Sequence, residues 1–400
     1  MIERHRAALE AAAAAPMLEQ VRWWSAINSG SRNLDGLNKI AGLLADAFSA
    51  LPGEVSLLDA APGEAIDPSG QPQPVAYGRN LHVRVRPQAP VQFLLTGHMD
   101  TVFAPDHPFQ ALTDLEGGAV INGPGTADMK GGIALMLAAL GALEASPLGA
   151  GIGYEVIVNS DEEIGSPGSA PLIADRARGK LAALTYEPSA LPDGTLAGAR
   201  PGSGNFSIII TGRSAHAGRN PQDGRNAIVA ASDLALRLAR ARREGLAINP
   251  ARIDGGGPNN MVPDRAVLRV NLRPALPADQ AAAEALLDEL IRGIAAEHDV
   301  AVHLHGGFGR PPKPIDHRAA KLFALVEESA ALLGRPITHK ATGGVCDGNN
   351  IAACGVPVVD TMGARGGAIH SADEYLIVES LAERAQLSAL VMLRLAERGL

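Results

Sequence analysis

Cysteine and aromatic side chains are scarce in this chain of 400 residues. Its two cysteines, Cys346 and Cys354, exclude a disulfide framework and fit a reducing compartment. We therefore expect a cytoplasmic protein. Phe, Trp and Tyr together make up 3% of the residues, so the core must be built mainly from Ala, Leu, Val and Ile.

An excess of basic charge and long apolar runs are also missing. The formal net charge of −8 argues against a nucleic-acid or anionic-membrane surface, because both need a concentrated basic face. The Arg-rich stretch Arg237–Arg243 lies on a predicted helix and is interpreted as a solvated face. No stretch approaches eighteen uncharged apolar residues, so we predict no membrane span. Glu10 interrupts the Ala-rich start, and residues 1–16 predict a short amphipathic helix instead of a leader peptide.

The first half of the chain alternates strand-like and helix-like segments. The whole chain of 400 residues is longer than a single hydrophobic core usually supports, so two domains are expected. A buried helix is predicted over Gly132–Ala145, directly after a glycine pair. Strands that alternate with helices indicate an α/β sheet, whose ligands bind at the carboxyl ends of the strands. The predicted strands are Leu81–Val85, Val91–Thr96, Tyr154–Asn159 and Leu181–Tyr186.

The pattern changes near Gly202. The order strand, helix, strand, strand, helix, strand is that of the split βαβ sandwich, a ferredoxin-like α+β unit. We predict that residues 203–312 form this small domain, inserted into a larger α/β domain made of residues 1–202 and 313–400. The larger domain resumes with a helix over 318–333 and a strand over 356–361. The elements predicted for the inserted domain are Asn205–Gly212, Asn226–Glu244, Ile248–Asp254, Val267–Leu272, Ala278–His298 and Val300–His305.

Polar residues follow three of the predicted strands. His98 and Asp100 come after one strand, Glu162 and Glu163 after another, and Glu187 after a third. Each has an ordinary explanation when taken alone, such as a surface His-Asp pair or a solvated loop. Because the carboxyl ends of strands meet at one edge of a sheet, we expect all five to lie together.

Two further segments complete the pattern. Asp128 lies in a glycine-rich loop before the buried helix, where a lone Asp is usually an N-cap, and His370 lies in a second glycine-rich loop. With these, the chain offers two imidazoles and three carboxylates, a ligand set that Zn²⁺ accepts. One bridging carboxylate would make this set sufficient for two metals, and a fourth carboxylate would remain as a base.

These residues lie in motifs that resemble a known family. The segments GHMDTV, GTADMKGG and DEEIGS, together with His370-Ser371, are similar to those of the dinuclear zinc metallopeptidases. This family includes glutamate carboxypeptidase, aminoacylase, acetylornithine deacetylase and succinyl-diaminopimelate desuccinylase, and the resemblance is strongest to the glutamate carboxypeptidase-like members. It covers nearly the whole chain. It implies a catalytic domain with a mixed central sheet flanked by helices, and an inserted lid and dimerisation domain.

The resemblance also implies roles at the metal centre. His98, Asp128 and Glu187 would hold one Zn²⁺, and Asp128, Glu163 and His370 the other. Co²⁺ or Mn²⁺ accept similar ligands. Asp100 would orient His98. Glu162 would be the general base that takes a proton from a water bridging the two metals and later delivers it to the leaving nitrogen.

Further roles are implied on the substrate side. His216 resembles the lid histidine that stabilises the oxyanion in the active site of a partner subunit, which implies a homodimer. Asn260 and Arg273 resemble lid residues that hold the substrate. Arg310 resembles an arginine that clamps its free carboxylate. Gly344 lies in a segment that resembles the loop facing that carboxylate, and nearby Cys346 is interpreted as a small buried side chain.

The resemblance narrows the substrate without identifying it. Within the family, Glu at the position of Glu187 goes with carboxypeptidases and deacylases, which favours an acylated amino acid or peptide with a free α-carboxylate. Thr195 and Ala197 stand where glutamate-selective members carry Lys and Ser, so an apolar or neutral released residue fits better. The alternatives are a deacylase of small acyl groups, a dipeptidase, and a metal-binding relative without turnover. The presence of Glu162 and His216 argues against the last.

Overall fold

The computed structural model describes residues 2–400, in ten α-helices and eighteen strands. The helices are α1 (Ile2–Ala14), α2 (Met17–Ser25), α3 (Leu34–Phe48), α4 (Gly131–Glu144), α5 (Ala170–Ala177), α6 (Ala227–Arg240), α7 (Pro277–His298), α8 (His317–Leu332), α9 (Asp347–Ala353) and α10 (Glu379–Arg398). The strands are β1 (Glu54–Leu58), β2 (Gly63–Ile66), β3 (Pro72–Val75), β4 (Asn80–Val85), β5 (Val91–His98), β6 (Thr113–Leu115), β7 (Val120–Asn122), β8 (Ile152–Asn159), β9 (Ala182–Thr185), β10 (Leu196–Ala197), β11 (Ser203–Thr211), β12 (Leu246–Gly255), β13 (Arg265–Pro274), β14 (Ala301–Arg310), β15 (His339–Lys340), β16 (Val358–Val359), β17 (Gly366–Gly367) and β18 (Tyr375–Ile377).

A six-stranded mixed sheet forms the centre of the larger domain, in the order β1-β4-β8-β5-β9-β16. Strand β5 pairs in parallel with β8 and with β9, whereas β4 runs antiparallel to β8. Every residue of β8 is buried, as expected for a strand covered on both faces. The carboxyl ends of β8, β5 and β9 therefore meet at one edge, and the α/β prediction is confirmed. The strand predicted over 356–361 is shorter and covers Val358–Val359.

Helix α4 packs against the central sheet and against α1 and α10. A Cβ on Gly132 would lie 2.0 Å from the carbonyl oxygen of Tyr186, so only glycine lets the helix start this close to the end of β9. The stretch Thr126–Ala145 is long and apolar enough to cross a membrane, but 89% of its apolar window is buried inside the fold. It is the core helix of this domain. Helix α1 buries Ala8, Leu9 and Ala12, in agreement with the amphipathic helix predicted at the start.

A small antiparallel sheet, in the order β17-β18-β7-β6, was not predicted. Strand β18 pairs with β17 on one side and with β7 on the other. Strand β7 leads into the loop that contains Asp128, and β17 leads into the loop that contains His370. These two loops are far apart in sequence, and the small sheet brings them together.

A second four-stranded sheet is built from consecutive residues, in the order β12-β13-β11-β14 with all neighbours antiparallel. With α6 and α7 it has the predicted order β-α-β-β-α-β and a separate hydrophobic core that includes Ile208, Leu234 and Leu268. Helix α6 ends at Arg240, earlier than the predicted Glu244. The domain boundaries at 202/203 and 312/313 stay a prediction.

Candidate metal centre

Three buried side chains from different elements form a first triad of candidate metal-ligating atoms. His98 is the last residue of β5, Glu187 follows β9, and Asp128 lies in the loop before α4. His98 Nε2 lies 3.0 Å from Asp128 Oδ1 and 3.6 Å from Glu187 Oε2. The predicted convergence of strand ends therefore occurs here.

A second triad shares Asp128 with the first. Glu163 lies in a tight helical turn after β8, and His370 lies three residues beyond β17 with a left-handed φ of 64°. His370 Nε2 lies 3.1 Å from Glu163 Oε2 and 3.3 Å from Asp128 Oδ2. The two oxygens of Asp128 thus face different triads, which is the geometry of a bridging carboxylate.

The electrostatics of the two triads call for positive charge. Burial raises the pKa of Glu163 to about 7 and also raises the pKa of Glu187. Hydrogen bonds to Asp128 and Glu163 raise the pKa of His370 to about 11. A carboxyl group that keeps its proton to near neutral pH, beside imidazoles whose pKa is raised, forms a site where cations would replace protons. The donor chemistry and the shared carboxylate therefore fit two divalent cations.

The loop of Asp128 is held by Glu374, a residue whose role sequence reasoning missed. The carboxylate of Glu374 accepts hydrogen bonds from the backbone N–H groups of Gly125, Ala127 and Asp128 at 3.0 to 3.1 Å. Glu374 follows the His370 loop and lies next to β18. The same stretch of chain therefore supplies one candidate ligand, His370, and fixes the loop of another, Asp128.

Asp100 is fully buried and contacts both His98 and the turn that contains Glu162 and Glu163. His98 Nδ1 lies 3.0 Å from the carbonyl oxygen of Asp100 and 3.4 Å from its Oδ1. The Asp100 carboxylate also accepts hydrogen bonds from the backbone N–H groups of Glu162 and Glu163, at 3.1 and 3.2 Å, and from the Ser31 hydroxyl at 2.7 Å. Besides facing His98, as predicted, Asp100 thus fixes the turn that carries the candidate base.

The acidic run after β8 splits into different environments. Asp161 does not join the metal-ligating atoms, because its carboxylate accepts hydrogen bonds from Gly168 N–H and the Ser169 hydroxyl. Glu162 is outside both triads and has a pKa raised well above its usual value by burial. The fold thus separates the three neighbouring carboxylates of residues 161–163 by side-chain direction.

Arg310 is 3% exposed and lies against Glu162. Its Nη2 donates to Glu162 Oε1 at 2.7 Å, and its Nη1 donates to Asp347 and to Asn350 Oδ1. Asp347 in turn accepts hydrogen bonds from Asn159 and from the Ser166 hydroxyl. The guanidinium donors that a substrate clamp would use are therefore bonded to protein acceptors in this arrangement.

The triads open into a cleft of about 240 Å³. Gly344, predicted to face the substrate, lines it, and so does Cys346, whose thiol is buried with a pKa raised well above its usual value by burial. Ala197 also lines the cleft. Thr195 is absent from its lining within residues 2–400 and hydrogen bonds to Asp193 instead.

Arg200 is a lining residue that sequence reasoning missed. Its Nε donates to Asp360 Oδ2 at 2.8 Å, and its Nη1 donates to the carbonyl oxygen of Gly344 at 3.1 Å. Lys313 pairs with the same Asp360 at 2.9 Å. Arg200 stands alone in a Gly- and Pro-rich loop of the sequence, so no local pattern marked it.

The other predicted residues lie on or near the inserted domain, away from the cleft lining. His216 is exposed, and its Nδ1 accepts hydrogen bonds from the N–H groups of Gly218 and Arg219. Asn260 is exposed and accepts a hydrogen bond from Ala217 N–H. Arg273 approaches most closely, because its Nη1 donates to the carbonyl oxygen of Gly343 at 3.1 Å. Within residues 2–400 of one chain, the fold does not bring His216 and Asn260 to the metal-ligating atoms.

Comparisons with known proteins agree with this geometry. Residues 94–394 match the model of "Peptidase family M20/M25/M40". The chain is 32% identical over 329 residues to carboxypeptidase G2 of Pseudomonas sp. (strain RS-16), covering 80% of this chain and 78% of that protein. It is 27% identical to succinyl-diaminopimelate desuccinylase 1 of Alteromonas mediterranea, with coverages of 77% and 83%.

A solved structure shows the same fold. A tripeptidase from Staphylococcus aureus superposes with a TM-score of 0.72 at 23% identity, covering 96% of this chain and 98% of that one. The matched family region contains all five candidate metal-ligating residues, including the shared Asp128, and the candidate base. The chain therefore belongs to peptidase family M20/M25/M40 and is a metal-dependent hydrolase of amide bonds.

Proposed function

We propose that the protein hydrolyses the amide bond on the amino side of an amino acid with a free α-carboxylate, as a carboxypeptidase or N-acyl amino acid hydrolase. Two Zn²⁺ ions would be held by His98, Asp128 and Glu187 and by Asp128, Glu163 and His370, with Co²⁺ or Mn²⁺ as alternatives. The observation that carries this proposal is the division of the two Asp128 oxygens between the triads. A bound metal pair lowers the pKa of water and polarises a carbonyl oxygen.

Glu162 is the proposed general base. Its Oε1 is held by Arg310 Nη2 at 2.7 Å, which orients the carboxylate and leaves Oε2 to carry the proton. It takes this proton from the attacking water and delivers it to the leaving nitrogen. Its carboxylate lines the cleft without belonging to either triad, as a proton carrier requires.

The released amino acid is proposed to have a neutral side chain. The cleft wall includes Ser189, Ala197 and Thr361, and its one arginine, Arg200, is already paired with Asp360. The similarity to carboxypeptidase G2 and the Glu at position 187 favour release of a C-terminal residue. Gly344, Arg273, Asn260 and Arg310 stay proposed substrate contacts, the last also as the residue that positions Glu162.

His216 is proposed to stabilise the oxyanion in the active site of a second copy of the chain. The observation in support is that His216 is exposed and lies outside the cleft lining of its own chain, within residues 2–400. Helix α6 of the same domain exposes Val229 and Leu236, at 52% and 49%, two apolar side chains seven residues apart on one helix face. We therefore propose a homodimer through the inserted domain. Two free cysteines support the proposed cytoplasmic location.

A second candidate function is removal of a small acyl group from an amino acid. The similarity to succinyl-diaminopimelate desuccinylases, at 26 to 30% identity, favours it. Both candidates need the same metal centre and the same base. They differ in the group on the acyl side of the cleaved bond.

The test is a hydrolysis panel on the zinc-loaded protein, with release of free amino acid as the readout. N-acetyl, N-succinyl, N-benzoyl and dipeptidyl donors are each paired with Glu, Leu, Phe, Ala and Arg. We expect turnover to concentrate on bulky acyl or peptidyl donors with a neutral released residue, and to fall at least ~10²-fold in the metal-loaded Glu162→Gln variant. Turnover confined to acetyl or succinyl donors would establish the second candidate. No turnover on any donor with two metals bound would contradict both.

A further inference from the structure

A second cavity, of about 370 Å³, lies apart from the cleft and is rich in arginine. Its wall is formed by helix α10, the end of α8 and the segments around Gly194 and Ile337. Three arginines line it, namely Arg335, Arg365 and Arg384. The apolar side chains of Leu333 and Leu387 complete much of the remaining wall. None of these residues takes part in the proposed reaction.

Arg384 is the unusual member of this wall, because it is buried without a bonded carboxylate. It is 2% exposed, and its Nη2 donates to the carbonyl oxygen of Gly194 at 2.7 Å. Its Nη1 is buried and has no hydrogen-bond partner among residues 2–400. Burial lowers the pKa of Arg384 to about 10. The positive charge of Arg365 also lowers it, whereas the negative charges of Glu383 and Asp193 raise it. A buried cation in this state is stabilised by an anion that reaches it.

The two carboxylates of the wall have partners other than Arg384. Glu383 accepts from Arg365 Nη1 at 2.9 Å and lies 3.5 Å from Arg335 Nε, so it is shared between two arginines. Asp193 accepts from the backbone N–H and the hydroxyl of Thr195. Among the lining residues, three guanidinium groups stand against these two carboxylates, which leaves one excess positive charge. Glu379, which is outside the lining and 69% exposed, lies 3.5 Å from Arg365 Nη1.

We propose that this cavity binds a small oxyanion, a carboxylate or phosphate group, with Arg384 as the buried anchor and Arg335 and Arg365 nearer the opening. Guanidinium groups present paired N–H donors that match the oxygens of carboxylate and phosphate. The apolar wall would accept the carbon skeleton of an organic anion. This proposal does not depend on the proposed reaction.

The cavity is placed where a ligand would touch the frame of the metal centre. Gly194 belongs to the loop that follows the metal ligand Glu187, and Arg365 donates through Nε to the carbonyl oxygen of Pro192 in that loop. Arg365 also directly precedes β17, which leads to His370. An anion held by Arg384 and Arg365 would therefore rest against both segments.

The test is calorimetric titration of inorganic phosphate and, separately, succinate into the metal-loaded protein and three variants. Arg384→Gln and Arg335→Gln remove guanidinium groups from the cavity. Arg318→Gln makes the same charge change at an exposed position of α8 outside the lining. Anions that bind only at the metal centre would behave alike in all four proteins.

In the wild type we expect one anion-binding site whose affinity falls at least ~10-fold in Arg384→Gln and in Arg335→Gln. The affinity of this site should be unchanged in Arg318→Gln. Tighter binding of phosphate or of succinate at that site would show whether the bound oxyanion is a phosphate or a carboxylate. Equal binding of both anions by the wild type and the two cavity variants would overturn the proposal. If Arg384→Gln does not fold, the exposed Arg335 decides the outcome alone, since its side chain is 52% exposed.

Discussion

Replacing Arg310 by methionine should destabilise the protein strongly. The side chain is 3% exposed, and its guanidinium pairs with both Glu162 and Asp347, which are 11% and 2% exposed. Methionine keeps much of the length but leaves two buried carboxylates without their cation. Removing one partner of a buried ion pair typically costs ~3–5 kcal/mol. Because Asn159 and Ser166 still donate to Asp347, we place the loss near the lower end, at ~3 kcal/mol.

Urea unfolding of the metal-loaded protein measures this loss. Arg318→Met is the matched control, because Arg318 is exposed and should change the free energy of unfolding by no more than ~0.5 kcal/mol. The double variant Arg310→Met with Asp347→Asn should lose less than the sum of the two single variants, since the second change removes the stranded charge. A loss below ~1 kcal/mol in Arg310→Met would refute the view that this arginine holds a buried charge network.

Kinetics of the conservative variant Arg310→Lys separate two roles of the arginine. Lysine keeps the charge but loses the planar fork that reaches Glu162 and Asp347 together. If Arg310 positions the base, kcat falls and KM changes little. If it clamps the substrate carboxylate, KM rises with little change in kcat.

Other predictions concern the candidate metal centre and His216. Glu162→Gln should keep both metals and lose at least ~10²–10⁴ in turnover, measured by amino acid release beside metal analysis; near-normal turnover would remove Glu162 from the base role. Asp128→Asn should bind fewer than two metals per chain, because an amide nitrogen replaces one oxygen of the shared carboxylate. An unchanged number of bound metals would argue against bridging. His216→Ala should lower kcat roughly 100-fold while KM stays nearly constant, and a pure KM effect would make it a positioning group. Mixing inactive His216→Ala and Glu162→Gln proteins should restore some activity, and no recovery after verified subunit exchange would place a complete site in one chain.

Much of the site followed from local patterns. His98 ends one apolar strand, Glu163 and Glu187 follow shortly after two others, and parallel neighbours must bring those strand ends to one edge. The order of strands and helices between residues 203 and 312 was equally accessible, because short apolar strands alternate there with segments that carry apolar residues at helical spacing.

Contacts between residues far apart in the chain could not be predicted from local sequence patterns. Nothing near Glu374 in the sequence indicates that its carboxylate would accept three backbone N–H groups of the Asp128 loop. The small sheet that joins these segments is made of strands of two or three residues, too short for a hydrophobic period to develop. Arg310 presented a different difficulty, because its type fits a substrate clamp and a structural ion pair equally well.

By itself the sequence determined the order of the longer elements, the residue types near the strand ends and, through them, the chemistry of a candidate metal centre. These properties are local, since hydrophobic period and side-chain type act within a few residues. The tertiary structure decided which oxygen of Asp128 faces which histidine, that Asp161 points away from the triads, and that Arg384 is buried without a bonded carboxylate. Side-chain direction and burial depend on segments distant in the chain, and only packing brings those segments together.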